Sequence, residues 1–126
     1  MPASTDLVVT IQATIEDYDG LEELIAEMVE AVKEKDPATR QYNFSVDEAK
    51  KTLFVMERYA SADAFFAHTK TLGPFAERFF GKIEMVSAAV HRAPGVELPP
   101  ALEEALAPFG TAFMTFVGSF ESFSAP

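Results

Sequence analysis

The feature that most restricts the fold of this chain is one amphipathic helix set between strand-forming segments. Between Gly20 and Pro37, apolar residues recur at helical spacing, and acidic residues fill many of the positions between them. The apolar positions are Leu21, Leu24, Ile25, Met28, Val29 and Val32. A helix with one apolar face needs another surface to bury it. The flanking segments therefore have to supply a sheet.

Local signals predict where this helix begins and ends. Asp19 is followed three residues later by Glu22, which resembles a capping box with Asp as the capping residue. At the other end, Asp36 precedes Pro37. The residue before a proline is pushed out of the helical conformation, so we expect the helix to stop there.

Three segments have the composition and alternation of β-strands. They are Leu7–Ile15, residues 40–46 and Thr52–Tyr59. Residues 47–51 are polar and connect the last two segments, which predicts a β-hairpin with a loop of about five residues.

Alternation within the third of these strands assigns its side chains to two faces. One face carries Leu53, Val55, Glu57 and Tyr59, and the other carries Phe54, Met56 and Arg58. Glu57 and Arg58 therefore cannot both point into one pocket.

The rest of the chain predicts a second helix and strand, followed by an extension. Ser61 is a suitable cap for a helix that runs to about residue 70, and Gly73-Pro74 predicts a break before a further short helix that stops at Gly81. Residues 82–92 read as a strand. Beyond them, residues 102–107 suit a short helix, and residues 109–120 suit either a final strand or a segment that packs on a second subunit.

The resulting order, β-α-β-β-α-β, predicts an α+β fold with a ferredoxin-like split βαβ arrangement and an antiparallel sheet. We expect one domain over residues 1–126, with a core of residues 7–92 and a C-terminal helix and strand extension over residues 93–126.

The helices cover one face of such a sheet, so the other face needs a cover of its own. In a small domain that cover is commonly a second copy, which predicts a homodimer.

Composition removes several classes of function. The formal net charge of −10 disfavours nucleic acid and anionic membranes as partners. The chain has no cysteine, which excludes disulfides, thiolate metal sites and a cysteine nucleophile. Its two histidines lack the spacing of a metal site, and no phosphate-binding loop or nucleotide fingerprint occurs. No signal peptide or long apolar run is present, so we expect a cytoplasmic protein without a membrane span.

Residues 7–92 resemble the antibiotic biosynthesis monooxygenase family, whose members are small dimeric α+β barrel proteins. The resemblance is carried by Pro37 with Arg40-Gln41-Tyr42 at the entry to the second strand, and above all by residues 54–59 at the end of the third. Ala64 and Ala67-His68 on the following helix, and the aromatic-rich residues 71–80, extend it.

This resemblance implies an apolar pocket between the sheet and the helices. Some members of the family oxygenate electron-rich aromatic or quinol substrates without metal or flavin, because the carbanion of the substrate itself reduces oxygen. Relatives of the same fold cyclise polyketides, degrade haem, isomerise small sugars or have no assigned activity. This chain has no tryptophan, which counts against the haem-degrading branch and weakens the link to aromatic oxygenases that use one.

The function expected from the resemblance is that of a cofactor-independent monooxygenase acting on an aromatic, polyketide-like or quinol small molecule. Two alternatives stay open. One is a polyketide cyclase or isomerase of the same fold, and the other is a non-catalytic protein that binds a small molecule.

The candidate catalytic residues are His68, Glu57 and Tyr42. A helical histidine beside phenylalanine can be a pocket base, although it can equally be a packing residue. A carboxylate at Glu57 can orient the imidazole or form an ion pair with a neighbouring arginine or lysine. Tyr42 can donate a hydrogen bond to a developing oxyanion or serve as a half-buried aromatic of the sheet.

A second set of residues is expected to contact the substrate. The set comprises Arg40, Tyr59, Phe65, Phe75, Phe79 and His91. For Arg40 and His91 a surface or interface role is the alternative, and for Tyr59 it is that of a half-buried aromatic of the sheet. For the phenylalanines the alternative is a place in the core.

Overall fold

The structure of the chain, a computed structural model, describes residues 6–118. The elements of this part are β1 (Leu7–Ile15), α1 (Leu21–Lys35), β2 (Thr39–Asp47), β3 (Thr52–Tyr59), α2 (Ala62–Phe80), β4 (Ile83–Arg92), α3 (Pro100–Leu106) and β5 (Ala112–Thr115). A short 3-10 turn, Ala107–Phe109, follows α3 directly.

The strands form one sheet in the order β2-β3-β1-β4-β5. The first four strands pair antiparallel, as the β-α-β-β-α-β order predicts, and the added β5 pairs parallel to β4. The expected α+β, ferredoxin-like fold with a C-terminal helix and strand is therefore confirmed. The loop between β2 and β3 is four residues long, 48–51, and Lys51 adopts a left-handed conformation in it (φ 52°).

The core lies on the face of the sheet that the helices cover, and it consists of two clusters. One cluster packs α1 and the end of α2 on the sheet, and its fully buried members include Ala13, Leu21 and Leu53. The other packs the start of α2 and all of α3 on the opposite end of the same face, around Tyr59 and Leu102. Side chains of α1 follow the predicted stripe, because Leu21, Leu24, Met28 and Val32 are buried.

Helix α1 begins at Leu21, where the apolar pattern starts, but the predicted capping box is wrong. The residue that precedes the helix is Gly20, in a left-handed conformation (φ 73°), and no side chain caps the first turn. Asp17 instead accepts a hydrogen bond from the backbone of Asp19 and pairs with Lys82 at 3.1 Å. The polar turn is thereby tied to the start of β4, which removes Asp19 from the capping role.

The predicted break at Gly73-Pro74 is also wrong, since α2 continues through both residues to Phe80. Ser61 caps it as expected, because its Oγ accepts a hydrogen bond from the Ala64 amide at 3.2 Å. Pro74 removes one donor from the helix, but it lies on the exposed side, where water can bond the freed carbonyl. Burial of Phe79 one turn later keeps the helix on the sheet.

A β-bulge in β4 changes which side chains face the core. Ala13 pairs with Met85 while Gln12 pairs with Ser87, so Val86 is an extra residue in β4. Before the bulge Ile83 faces the core, and after it Ala88 and Val90 do. The bulge therefore places His91, one of the expected substrate contacts, on the face opposite Ala88 and Val90.

The face of the sheet without helices exposes several large apolar side chains. Phe54, Met56 and Val86 are 38%, 36% and 58% exposed. Phe54 and Met56 alternate with the buried residues of β3, as the sequence predicts. In the single chain this outer face has no cover among the described residues.

Replacing Leu102 with alanine should destabilise the protein by about 2–5 kcal/mol, because Leu102 is 1% exposed and its truncation leaves a cavity in the core. Chemical denaturation measures the change. Val117→Ala is the control, since Val117 is fully exposed. Equal stability of the two variants would show that α3 is not part of the folded core.

Candidate functional site

A cavity of about 280 Å³ lies between the sheet, α2 and the segment that follows α3. Its floor is formed by inward-facing strand residues such as Val9, Ile11 and Val55, and one wall by side chains of α2. The lining is almost entirely apolar and includes Phe44, Phe65, Phe79, Phe80 and Phe109. A cavity of this kind suits a flat apolar molecule.

Three ionisable side chains are buried together beside this cavity. Glu57 is 5%, His68 2% and Asp36 7% exposed. Glu57 Oε1 lies 3.0 Å from His68 Nε2, and Asp36 Oδ2 lies 3.4 Å from His68 Nδ1. The imidazole therefore stands between two carboxylates. Glu57 and His68 line the cavity, whereas Asp36 lies behind the ring.

These contacts are at ion-pair distance but do not have the alignment of hydrogen bonds. Both His68 nitrogens and Asp36 Oδ2 lack an aligned hydrogen-bond partner among the described residues. A protonated imidazole has a donor for each carboxylate. The ring therefore has a carboxylate within reach of each nitrogen, and one of the two, Glu57, borders the cavity.

Neighbouring hydroxyl groups fix the two carboxylates. Tyr59 donates a hydrogen bond to Glu57 Oε1, and Thr71 donates one to Asp36 Oδ1 at 2.7 Å. Tyr59 is fully buried and also packs its ring against His68, with the ring centroids 5.2 Å apart. The carboxylates are thus held in place from β3 and α2.

Tyr42 brings a hydroxyl-bearing ring to the same site from β2. Its ring packs edge-on against His68, with centroids 4.8 Å apart, and it lines the cavity. Burial, followed by the charges of Glu57 and Asp36, raises the pKa of Tyr42 far above its usual value of 10. Burial and Glu57 raise the pKa of Tyr59 in the same direction. Both phenols therefore remain neutral donors over the whole ordinary pH range.

Not all the sequence-predicted site residues meet at the cavity. His68, Glu57, Tyr42, Phe65 and Phe79 do line it. Tyr59 lies behind Glu57 and acts on it through its hydroxyl group. Phe75 packs beside the first core cluster, under the guanidinium of Arg78, and is not part of the lining.

The two basic candidates lie elsewhere. Arg40 is the extra residue of a bulge in β2, and its Nε pairs with Asp6 at 3.1 Å. His91 lies on the outer face, where Nε2 is 3.0 Å from Thr10 Oγ1 and the ring stacks on Phe116. The alternative in which Glu57 pairs with Arg40 or Arg58 is wrong, because both arginines bind Asp6.

Sequence reasoning missed Asp36 and the residues after α3. Asp36 was interpreted only as the end of α1. It lies four residues after Val32, which itself lies four residues after Met28, so Asp36 continues the buried face of this helix. That continuation is the signal that could have identified it. Leu106, Phe109 and Thr111 also line the cavity, but their apolar pattern does not distinguish a cavity wall from ordinary core.

Within residues 6–118, no group of three or more histidine, cysteine or acidic side chains has the geometry to hold a metal ion. The helices of this part are also too short or too polar to cross a membrane.

Comparison with known proteins identifies the family to which these features belong. Residues 7–92 match the family model described as antibiotic biosynthesis monooxygenase, which covers more than half of the chain. None of the curated protein sequences matches the chain significantly.

Solved structures share the fold at low sequence identity. MupZ from Pseudomonas fluorescens superposes with a TM-score of 0.75 at 18% identity, over 97% of this chain and 93% of that one. SnoaB, a cofactor-independent oxygenase from Streptomyces nogalater, gives a TM-score of 0.61 at 12% identity, over 76% of this chain and 98% of that one. A conserved protein from Methanosarcina mazei Go1 gives 0.57 at 11% identity, over 71% and 93%.

The buried tyrosines predict how stability depends on alkaline pH. Their pKa is raised in the folded state, so above pH 10 the unfolded chain loses protons that the folded chain keeps. Stability should therefore fall as the pH rises beyond 10, by up to about 1.4 kcal/mol per pH unit for each tyrosine. Urea unfolding at a series of pH values measures this slope.

Phenolate absorbance provides the check. In the folded protein Tyr42 and Tyr59 should not ionise near pH 10, whereas in urea they should titrate normally. Tyr42→Phe should reduce the pH dependence of the unfolding free energy. Phenolate formation by all tyrosines near pH 10 in a protein that is still folded would contradict the prediction.

Proposed function

Because this chain belongs to the antibiotic biosynthesis monooxygenase family, we propose that it is a cofactor-independent monooxygenase acting on an aromatic, polyketide-like or quinol small molecule. The observation that carries the proposal is the Glu57–His68 pair, which presents a proton acceptor to an otherwise apolar cavity. An apolar cavity with a few convergent polar groups is the usual form of a small-molecule site.

The lining also restricts the charge of the substrate. No lysine or arginine is among the residues that line the cavity, while Glu57 lines it and Asp36 stands behind His68. An anionic substrate would therefore meet negative charge without a counter-charge in a poorly screened site. We infer that the substrate enters as an uncharged molecule.

The proposed reaction begins with a proton transfer. The substrate loses a proton from a carbon activated by its aromatic or carbonyl system, and the proton passes to the His68–Glu57 pair. The resulting carbanion gives its electrons to oxygen and forms a carbon–oxygen bond. The same carbon then loses its second hydrogen as the O–O bond breaks, which leaves a new carbonyl group. The other oxygen atom departs as water. The substrate supplies all the electrons.

Tyr42 is proposed to stabilise the negative charge that this step creates. Its phenol is neutral over the working pH range and borders the cavity beside His68. A neutral donor in a site without bulk water stabilises a developing oxyanion strongly. Phe65 and Phe79 would hold the ring system of the substrate against the sheet, since both line the same cavity.

A second candidate function is a cyclase or isomerase that uses the same cavity without oxygen. The observation that favours it is the position of His68 between two carboxylates, because a group that holds a proton there can return it to the substrate. Such a reaction needs a proton acceptor and a proton donor, but no oxidant.

We also propose that the protein is a homodimer that covers the exposed outer face of the sheet. Phe54, Met56 and Val86 on that face would then be buried by a second copy, as in an α+β barrel. A cytoplasmic location is proposed with it, and remains a prediction.

Replacing His68 with alanine, or Glu57 with glutamine, should reduce turnover by about 10²–10⁴-fold, the usual contribution of a positioned acid–base group. Oxygen consumption with a panel of quinols and anthrones measures the effect. Lys70→Ala is the control, because Lys70 is exposed on the same helix. Unchanged activity in His68→Ala would contradict the assigned role.

Turnover with and without air separates the candidates. Equal consumption of substrate under nitrogen would contradict the monooxygenase and support the cyclase or isomerase. Binding without turnover, insensitive to both substitutions, would support a non-catalytic binding protein.

Introducing charge on the outer face should separate the proposed dimer. The double variant Phe54→Glu/Met56→Glu should remain folded and elute as a monomer, because both side chains are partly exposed in the single chain. Light scattering after size-exclusion chromatography measures the mass. Val117→Glu is the control, and a monomeric wild-type protein would contradict the dimer.

A further inference from the structure

We propose that residues 106–111, which run from the last residue of α3 to the residue before β5, form the wall that determines which substrates the cavity accepts, and that Phe109 limits the size of their ring system. Leu106, Phe109 and Thr111 all line the cavity. They lie outside residues 7–92, the part that matches the family model. The inference rests on the proposed function, because it takes this cavity as the substrate site.

The wall is anchored firmly enough to define a shape. Leu102, four residues before Leu106, is 1% exposed within the second core cluster. On the other side, β5 pairs with β4, from Ala112 opposite Ala89 to Thr115 opposite Arg92. The segment between these anchors is therefore held at both ends against the sheet.

Local bonds also fix the turn that carries Phe109. Thr111 Oγ1 donates a hydrogen bond to the Leu106 carbonyl at 2.8 Å, which closes the segment on itself. Gly110 follows Phe109 in a left-handed conformation (φ 66°), and its amide bonds the carbonyl of Ala107. These bonds fix the backbone of Phe109 and the direction of its Cα–Cβ bond, so the ring projects from a defined point of the wall.

Exposure places Phe109 at the entrance. Phe109 and Phe80 each line the cavity and are each 48% exposed, whereas Phe65 and Phe79 are buried. Phe80 is the last residue of α2, and Phe109 is the last residue of the 3-10 turn. Two half-exposed rings that border one cavity mark its mouth. A substrate with an additional ring has to extend past them.

Removal of the Phe109 ring should therefore change which ring systems bind, without touching Glu57 or His68. Two uncharged phenols that differ by one fused ring, 2-naphthol and 2-anthrol, serve as probes, and their fluorescence reports binding. In Phe109→Ala the affinity ratio should shift by about tenfold towards 2-anthrol, a typical effect of pocket size on selectivity. Phe109→Trp should shift the ratio the other way.

Val117→Ala is the matched control, because it truncates an exposed residue of the same extension. Its affinity ratio should equal that of the wild-type protein. An unchanged ratio in both Phe109 variants would overturn the inference, as would failure of both phenols to bind the wild-type protein. The proposed function is tested by a different result, because turnover that does not depend on His68 would contradict it.

Discussion

The buried carboxylate of Glu57 is the constraint on which the arrangement of this protein depends. Strand alternation places it on the core face between Val55 and Tyr59, where an unpaired charge would cost several kcal/mol. Its partners come from two elements, the Tyr59 hydroxyl on the same strand and the His68 imidazole on α2. His68 in turn reaches Asp36 at the end of α1. One polar position in the sheet is thus connected to both helices through His68.

The same polar position borders the cavity in the interior. The two apolar clusters occupy opposite ends of the covered face, and Ile11 packs against both. Glu57 and His68 border the space between them, together with Val55 from one cluster and Phe65 from the other. Tyr59 already donates a hydrogen bond to Glu57, so the carboxylate is satisfied while it borders this space.

Sequence patterns predicted those parts of the structure that local chemistry controls. The bounds of β1 and β3, the Ser61 cap and the placement of Glu57 and Arg58 on opposite faces follow from alternation and side-chain type alone. The errors arise where tertiary contacts override a local signal. Burial of Phe79 carries α2 through Pro74, and an extra residue at Val86 turns His91 away from the core. The spacing of Asp36 after Met28 and Val32 predicts its burial, but its partner His68 lies on another helix, and that pairing is a tertiary contact.

The site combines residues from two parts of the chain with different constraints. Glu57, His68 and Tyr42 lie within the segment that matches the family, and burial and charge couple them closely. Leu106, Phe109 and Thr111 lie beyond it, on a turn that contributes shape but no charge. A change in the first group disturbs a buried set of charges and hydrogen bonds, whereas a change at the half-exposed Phe109 alters only volume. Under the proposed function, acid–base chemistry and ligand size can therefore vary independently.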